Sequence, residues 1–351
     1  MLKEKQYYGF EDVLIKSKFS KVNSRNDVGL TLDLSEHKNK IFYGWNPVPI
    51  MSANMDTVTD ITMAKELLKR NWIPVLHKYV SKMDICELFD WLDHYNLNAE
   101  QPVDYRNIFI SRGSSDRDKE KLIERLNSEP RIKSVCIDVA NGHREDLVSY
   151  AKELKDTICK DKVLMVGNIG SKQMLKSYEE AGVDIVKAGI GPGSACITRV
   201  KTGVGTPQIS LIDEVSQVDK DSKMLIVSDG GCKVEGDIVK AFVAGADFVM
   251  IGGMLAGFKE SPGSIDVIDG KKYKRFSGMA AKESQHEGVP SHGTEEGKTV
   301  SILYRGKVYH KLEDIEGGIR SACTYTNCEK ISQLNEVDLI ISKSQENKVF
   351  A

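Results

Sequence analysis

The chain has 351 residues, enough for one large domain or two ordinary ones, with 40% hydrophobic residues and 49 basic against 51 acidic side chains. The near-balanced charge argues against nucleic acid or an anionic membrane as partner, no apolar run reaches bilayer-spanning length, and the opening MLKEKQYYGFEDVL lacks the apolar core of a signal peptide. Seven cysteines at 86, 136, 159, 196, 232, 323 and 328 form no CxxC pair, which excludes a disulfide framework and a structural zinc site and predicts a cytoplasmic protein with reduced thiols.

In chain order, short apolar, β-branched runs predict strands at Val48–Met55, Trp72–His77, Asn107–Ser111, Ser134–Ala140, Val163–Asn168, Asp184–Ile190, Met224–Ser228 and Asp247–Ile251. Helical periodicity lies between them, as at Lys82–Tyr95, Asp116–Leu126, Glu145–Leu154, Ser171–Ala181 and Gly236–Ala244. Continuously apolar strands alternating with helices indicate a parallel sheet with covered faces, and eight such units fit an α/β protein of the (β/α)8 (TIM) barrel type better than an open doubly wound sheet. GIGPGS is not a dinucleotide fingerprint, because Pro192 stands where the helix should begin. After the eighth strand, Ile265–Phe276 with its Asp269–Gly270 turn reads as a hairpin, leading into the polar stretch GMAAKESQHEGVPSHGTEEGKTV. Residues 261–307 are therefore expected to form a flap inserted into a single barrel domain covering 1–351, with a helix at Leu312–Gln333 closing the ring.

Function in a (β/α)8 barrel collects at the C-terminal ends of the strands. Here those ends read SANMDT, HK, SRG, DVANGH, GN, GIGPGSAC, SDGG and GGM. The richest is the loop from Lys187 to Gln208, KAGIGPGSACITRVKTGVGTPQ, whose glycines and prolines forbid regular structure. Its Cys196 lies near Thr198, Arg199 and Lys201, surroundings that favour a thiolate nucleophile. The pairs Gly230–Gly231 and Gly252–Gly253 follow strands seven and eight, where exposed backbone N–H groups bind phosphate. Asp229, beside the first pair, is placed to hold ribose hydroxyls, so a nucleotide is the expected ligand.

The loop GIGPGSACITRVKTGVGTPQ, taken with SANMDTV, HK, IDVANGH, SDGG, GGMLAG and GGIRSACTY in this order, resembles the IMP dehydrogenase/GMP reductase family from about Phe10 to the C-terminus. The wording is similar to the reductase branch. About 30 residues separate strands two and three, which leaves no room for the regulatory CBS pair of the dehydrogenases. Between Met279 and Lys298 there is neither arginine nor tyrosine, whereas the dehydrogenases carry an Arg-Tyr pair there to activate water.

The resemblance implies NADPH-dependent reductive deamination of GMP to IMP and ammonia, with Cys196 attacking purine C2 to form a thioimidate. It also implies that Thr198 and Glu296 move the proton to the leaving amine and that Lys78 sits near the cofactor amide. The implied cofactor contacts are Ser24, Arg25, Lys78, Asp138, Val139, Ala140, Ile190, Gly191 and Ser321, with Arg25 matched to the ribose phosphate of NADPH. The implied GMP contacts are Asp229, Gly230, Gly231, Gly252, Gly253, Gly278, Met279, Ala280, Glu296 and Gly297. A monovalent cation (K+) would take carbonyls of the catalytic loop, at Gly191, Gly193, Cys196 and Arg199, and the assembly would be a homotetramer. The flap departs from the family pattern. It is a few residues short, it has Gly293 in place of an arginine (Lys282 and His292 being the candidate replacements), and it carries Ala280 and Ala281 where serines are commoner. Ile197 replaces a threonine beside the nucleophile. Two other readings stay open at this point: a dehydrogenase without CBS domains that oxidises IMP to XMP with NAD, and a purine-nucleotide-binding barrel with a regulatory role and no turnover.

Overall fold

The computed structural model of the protein describes residues 6–217, 223–279, 281 and 296–342. After a short strand β1 (Val13–Ile15), eight strands close into an all-parallel barrel: β2 (Ile50–Ser52), β3 (Ile73–Leu76), β4 (Phe109–Arg112), β5 (Ser134–Asp138), β6 (Val163–Ile169), β7 (Ile185–Ala188), β8 (Leu225–Asp229) and β9 (Phe248–Ile251). Pairing of β2 with β9 completes the ring. Each strand lies inside its predicted run or exceeds it by one residue. The helices around the ring are α1 (Ile61–Leu68), α2 (Lys82–Asn98), α3 (Asp116–Ser128), α4 (Glu145–Asp156), α5 (Leu175–Glu180), the short α6 (Thr198–Thr202), α7 (Gln208–Ser216), α8 (Glu235–Val243) and, after the insertion, α9 (Tyr309–Thr326).

The barrel interior is filled from one end. Met51, Ile73, Val75, Phe109, Met165 and Phe248 point into it and are buried. Phe42 and Trp45 seal the N-terminal end, their rings 5.9 Å apart, with Trp45 5.6 Å from Phe248. The Trp45 indole N–H donates to Asn107 Oδ1 at 2.6 Å, so the plug leaves that polar group paired. Removing the Phe248 ring would cost roughly 3–5 kcal/mol. With this end closed, the C-terminal strand ends are left to carry polar loops.

The hairpin after the barrel is as expected, and three other elements are not. The hairpin forms as β10 (Asp266–Ile268) and β11 (Lys271–Ser277), with Asp269 and Gly270 both at positive φ (49° and 72°) as a tight primed turn needs. A third strand, β12 (Thr299–Leu303), then pairs with β11 from Ser277↔Thr299 to Tyr273↔Leu303, so part of the expected flap is regular sheet. The closing helix is split. Asn327 adopts the left-handed conformation (φ 60°) and ends α9, its side chain accepting from the Lys21 N–H at 2.8 Å, and a 3-10 helix follows at Ile331–Glu336. The run predicted at Ser171–Ala181 opens as a 3-10 turn, Lys172–Met174, before α5. Last, β13 (Leu339–Ile341) pairs antiparallel with β1.

Candidate active site

The loop after β7 brings Cys196 over the barrel mouth, and main-chain pairing holds it there. Cys196 and Gly297 form an antiparallel bridge. The Ile197 N–H donates to the Glu296 carbonyl at 2.8 Å, and the Lys298 N–H to the Ala195 carbonyl at 2.9 Å. Gly278, at the end of β11, lies on the same ladder, its N–H donating to Lys298 O at 3.1 Å. A Cβ at Gly278 would come within 2.8 Å of Ala195 O and 3.0 Å of Gly297 Cα, so only glycine allows this approach.

This ladder delivers Glu296 to Thr198. The Cys196 thiol donates to Thr198 Oγ1 at 3.2 Å, and the Thr198 hydroxyl donates to Glu296 Oε2 at 2.7 Å. One hydroxyl thus links a thiol to a carboxylate, a continuous path for a proton. Arg199 braces the base of the loop, its Nε donating to Ile190 O at 3.1 Å and its Nη2 to Thr206 O at 2.6 Å. Gly191 (φ 76°) leaves room for that side chain, since a Cβ would sit 2.5 Å from Arg199 Cγ.

A second polar cluster sits lower, at the strand ends. Lys187 of β7 is buried between Asp138, the last residue of β5, and Asp229, the last residue of β8, its Nζ paired with both carboxylates and 3.2 Å from Asp229. Asn168 Nδ2 donates to Asp229 Oδ2 at 2.7 Å and to Gly189 O at 2.8 Å. Burial favours the neutral amine of Lys187, but the fields of Asp138 and Asp229 outweigh it and hold its pKa above the usual lysine range. Burial likewise pushes Asp138 up, and Lys187, a hydrogen bond from Asn54 and the charge of Lys78 bring it down below the ordinary carboxylate value.

Of the predicted residues, the structure brings together Cys196, Thr198, Glu296, Gly297 and Gly278 in the upper group. Met279 is adjacent, its Sδ accepting from the Asp56 N–H at 3.4 Å. Gly230 (φ 87°) and Gly231 (φ 91°) follow β8 directly. Gly253 and Ser194 border a cavity of about 530 Å³ rimmed by Lys233, Lys298 and Arg305; Cys196 is outside its lining. Gly252 begins the turn after β9, Val139 and Ala140 follow β5, and Lys78 follows β3, its ammonium 5.2 Å from the Tyr79 ring. Ser24 and Arg25 lie apart, in a 3-10 turn that packs on α9, the helix that carries Ser321. Among the described residues, no hydrogen bond or ion pair joins them to Lys78 or Asp138. Ala280, Lys282, His292 and Gly293 lie outside the described residues. Sequence reasoning passed over Asn168 and Lys187 and took Arg199 only as a cationic neighbour of Cys196, not as the brace of the loop; Lys187 carried a signal, a lone lysine within the buried strand IVKA.

A closed (β/α)8 barrel with a cysteine–threonine–glutamate chain across its C-terminal mouth is the frame of a barrel enzyme. The comparisons with known proteins make the assignment particular. A family model described as IMP dehydrogenase / GMP reductase domain matches residues 7–348. GMP reductase of Vibrio campbellii is 40% identical over 347 residues, covering 97% of this chain and 96% of that protein. GMP reductase 2 of Homo sapiens is 41% identical over 346 residues with the same coverages, and GMP reductase of Yersinia pestis is 40% identical over 347 residues, again with those coverages. The chain belongs to the IMP dehydrogenase/GMP reductase family and is an oxidoreductase.

Proposed function

We propose that this protein is a GMP reductase, converting GMP and NADPH to IMP, ammonia and NADP+. The observation that carries this reading is the Cys196–Thr198–Glu296 chain, in a protein whose similar relatives bear that name. Cys196 Sγ adds to purine C2, and the C2–N bond to the amine breaks as the amine takes a proton along Thr198 and Glu296. Ammonia leaves a thioimidate on Cys196. NADPH, when bound, supplies the hydride that C2 of this adduct receives. The C–S bond then breaks, Sγ leaves as thiolate and IMP is released. Covalent attachment divides one hard displacement into two easier steps.

Asp229 is positioned for the ribose hydroxyls, held in place by Asn168 and Lys187. Gly231, Gly252, Gly253 and Ser194 offer backbone N–H groups and a hydroxyl to the phosphate, while the Gly230 N–H donates to Met250 O at 3.3 Å and so serves to shape the turn. Gly278, Met279, Ala280, Glu296 and Gly297 complete the purine side.

For NADPH, Lys78, Asp138, Val139, Ala140, Ile190 and Gly191 form one group and Ser24, Arg25 and Ser321 another. The exposed Arg25 has no carboxylate partner among the described residues, which suits a ribose phosphate. Two cofactor groups with no hydrogen bond or ion pair between them would suit a cofactor shared between two copies, in keeping with the homotetramer that the family resemblance implies. The carbonyls of Gly191, Gly193, Cys196 and Arg199 are neutral oxygen donors, a set suited to K+ rather than to a divalent ion. They would hold the catalytic loop.

We further read the chain as one barrel domain without a CBS pair, acting in the cytoplasm. A single helix, α2, and a 3-10 turn connect β3 to β4, and no helix among the described residues is long and apolar enough to cross a membrane.

The test is to mix the protein with GMP and NADPH in potassium buffer and follow the reduced nicotinamide. Loss of NADPH with equal IMP and ammonia supports the proposal. NADH and XMP from IMP and NAD would instead make it a dehydrogenase, and silence in both assays would contradict the assigned chemistry.

A further inference from the structure

The strand-end motif SRG has no place in the chemistry above, yet Arg112 is among the largest fully buried side chains, 2% exposed. It is the last residue of β4 and turns outward, toward α3. Its Nη1 donates to the main-chain carbonyl of Lys78 at 2.5 Å and to that of Ser111 at 2.8 Å. Its Nε and Nη2 are buried with no hydrogen-bond partner among the described residues, and no carboxylate comes within ion-pair distance of it there. Burial, helped by the nearby Arg125, pushes its pKa down to about 10 against the weaker pull of Asp118 and Glu124 on α3, neither of which pairs with it. Burying a guanidinium without a carboxylate is unfavourable, and an apolar side chain of similar length would pack there at lower cost. What the charge does accomplish is a pair of charge-assisted bonds to backbone oxygens, one to its neighbour Ser111 and one across to Lys78 on the adjoining strand's loop. The Lys78 ammonium, on the other side of the same residue, contributes to the field that lowers Asp138.

We propose that Arg112 is a positioning residue that fixes the backbone of Lys78, and so sets where the Lys78 ammonium stands in the cofactor pocket. The proposal rests on the reading that Lys78 serves the cofactor. Arg112 touches neither substrate nor cofactor, and its effect passes only through Lys78. Loss of Arg112 therefore alters the NADPH half of the reaction and leaves GMP binding alone.

The experiment is a double-mutant cycle of Arg112→Met and Lys78→Ala, with KM for NADPH, kcat, GMP affinity by calorimetry and thermal stability measured on each. Arg112→Met is expected to keep the wild-type melting temperature or exceed it, to lower kcat/KM for NADPH about tenfold, and to leave the GMP Kd within twofold. In the Lys78→Ala background it should have no further effect. Arg112→Lys, which keeps a charged donor, should recover part of the loss, and it replaces Arg112→Met in the cycle if that variant does not fold. Unchanged NADPH kinetics in Arg112→Met, an equal loss of GMP affinity, or additive losses in the double mutant would overturn the proposal. If Lys78→Ala alone leaves NADPH kinetics intact, the cofactor role of Lys78 is what fails.

Discussion

The two halves of the site are built in opposite ways. The lower cluster, Asp138, Lys187, Asp229 and Asn168, stands on strand ends of the barrel and is joined by charge, with Lys187 buried at its centre. The upper group, Cys196, Thr198 and Glu296, stands on loops and is joined by main-chain bonds between distant segments and by one hydroxyl. The strands hold these charges in a rigid frame, because parting them would strand ions in a poorly solvated place. The upper group depends on a few backbone hydrogen bonds, each worth about 1 kcal/mol, which hold it to the loops rather than to the barrel. Stability and turnover are thus assigned to different regions, and substitutions should separate them.

The largest expected effect breaks the lower cluster. Lys187→Met leaves two carboxylates facing each other without their cation and should lower stability by about 3–5 kcal/mol at neutral pH, read by denaturant unfolding. The sign follows from Asp138. Its folded pKa is depressed, so the stability it contributes is present above the unfolded carboxylate value and is lost as pH falls through the folded one. The gap between variant and wild type should accordingly close as pH drops below about 4. An equal destabilisation at all pH values would contradict the ionic account.

A substitution in the upper group should behave in the other way. Glu296→Gln keeps the shape and the acceptor for the Thr198 hydroxyl but removes the proton carrier. It should slow ammonia release about 10²–10³-fold while leaving both GMP affinity and melting temperature close to wild type. Loss of GMP binding would instead make Glu296 a substrate contact.

The smallest effect lies far from both, at the closed end of the barrel. Asp247, just before β9, accepts a hydrogen bond from the Ile226 N–H at 2.8 Å, and burial pushes its pKa up to about 6. The folded state holds that proton more tightly than the unfolded chain does. Its neutral form is therefore favourable at low pH, and that advantage is lost as pH rises through about 6. Asp247→Asn, which keeps an acceptor, should raise the melting temperature at pH 8 by an amount corresponding to roughly 2 kcal/mol, with no gain near pH 4. A gain independent of pH would mean that the carboxyl's charge is not the cause.

The barrel was legible because strand and helix periods are local, and all eight strands fall where their apolar runs end in glycine or polar residues. The hairpin turn was legible for the same reason, since Asp-Gly meets a backbone demand stated by two adjacent residues. Strand β12 was not. Thr299–Leu303 alternates weakly, and only its pairing with β11 makes it a strand. Lys187 announced itself as a charge in an apolar strand, but which carboxylates flank it depends on the order of β5, β7 and β8 around the ring, not on neighbours in sequence. Glu296 was preferred over its sequence neighbour Glu295 only because the following Gly297–Lys298 fixes the register of the family resemblance, since the two adjacent carboxylates are otherwise alike. The structure gives a physical reason, the antiparallel bridge between Gly297 and Cys196, which places Glu296 beside Thr198. The placement of Arg112 was invisible in the sequence, since its partners are backbone oxygens and leave no sequence signature.

The central claim, that Cys196 is the covalent centre of a loop-borne site, is tested most directly by measuring GMP-dependent NADPH oxidation by Cys196→Ala, with GMP binding followed in parallel by calorimetry. The account predicts oxidation at background level with GMP still bound, because the lower cluster and the phosphate loops are untouched. Oxidation that persists at a substantial fraction of the wild-type rate would contradict it.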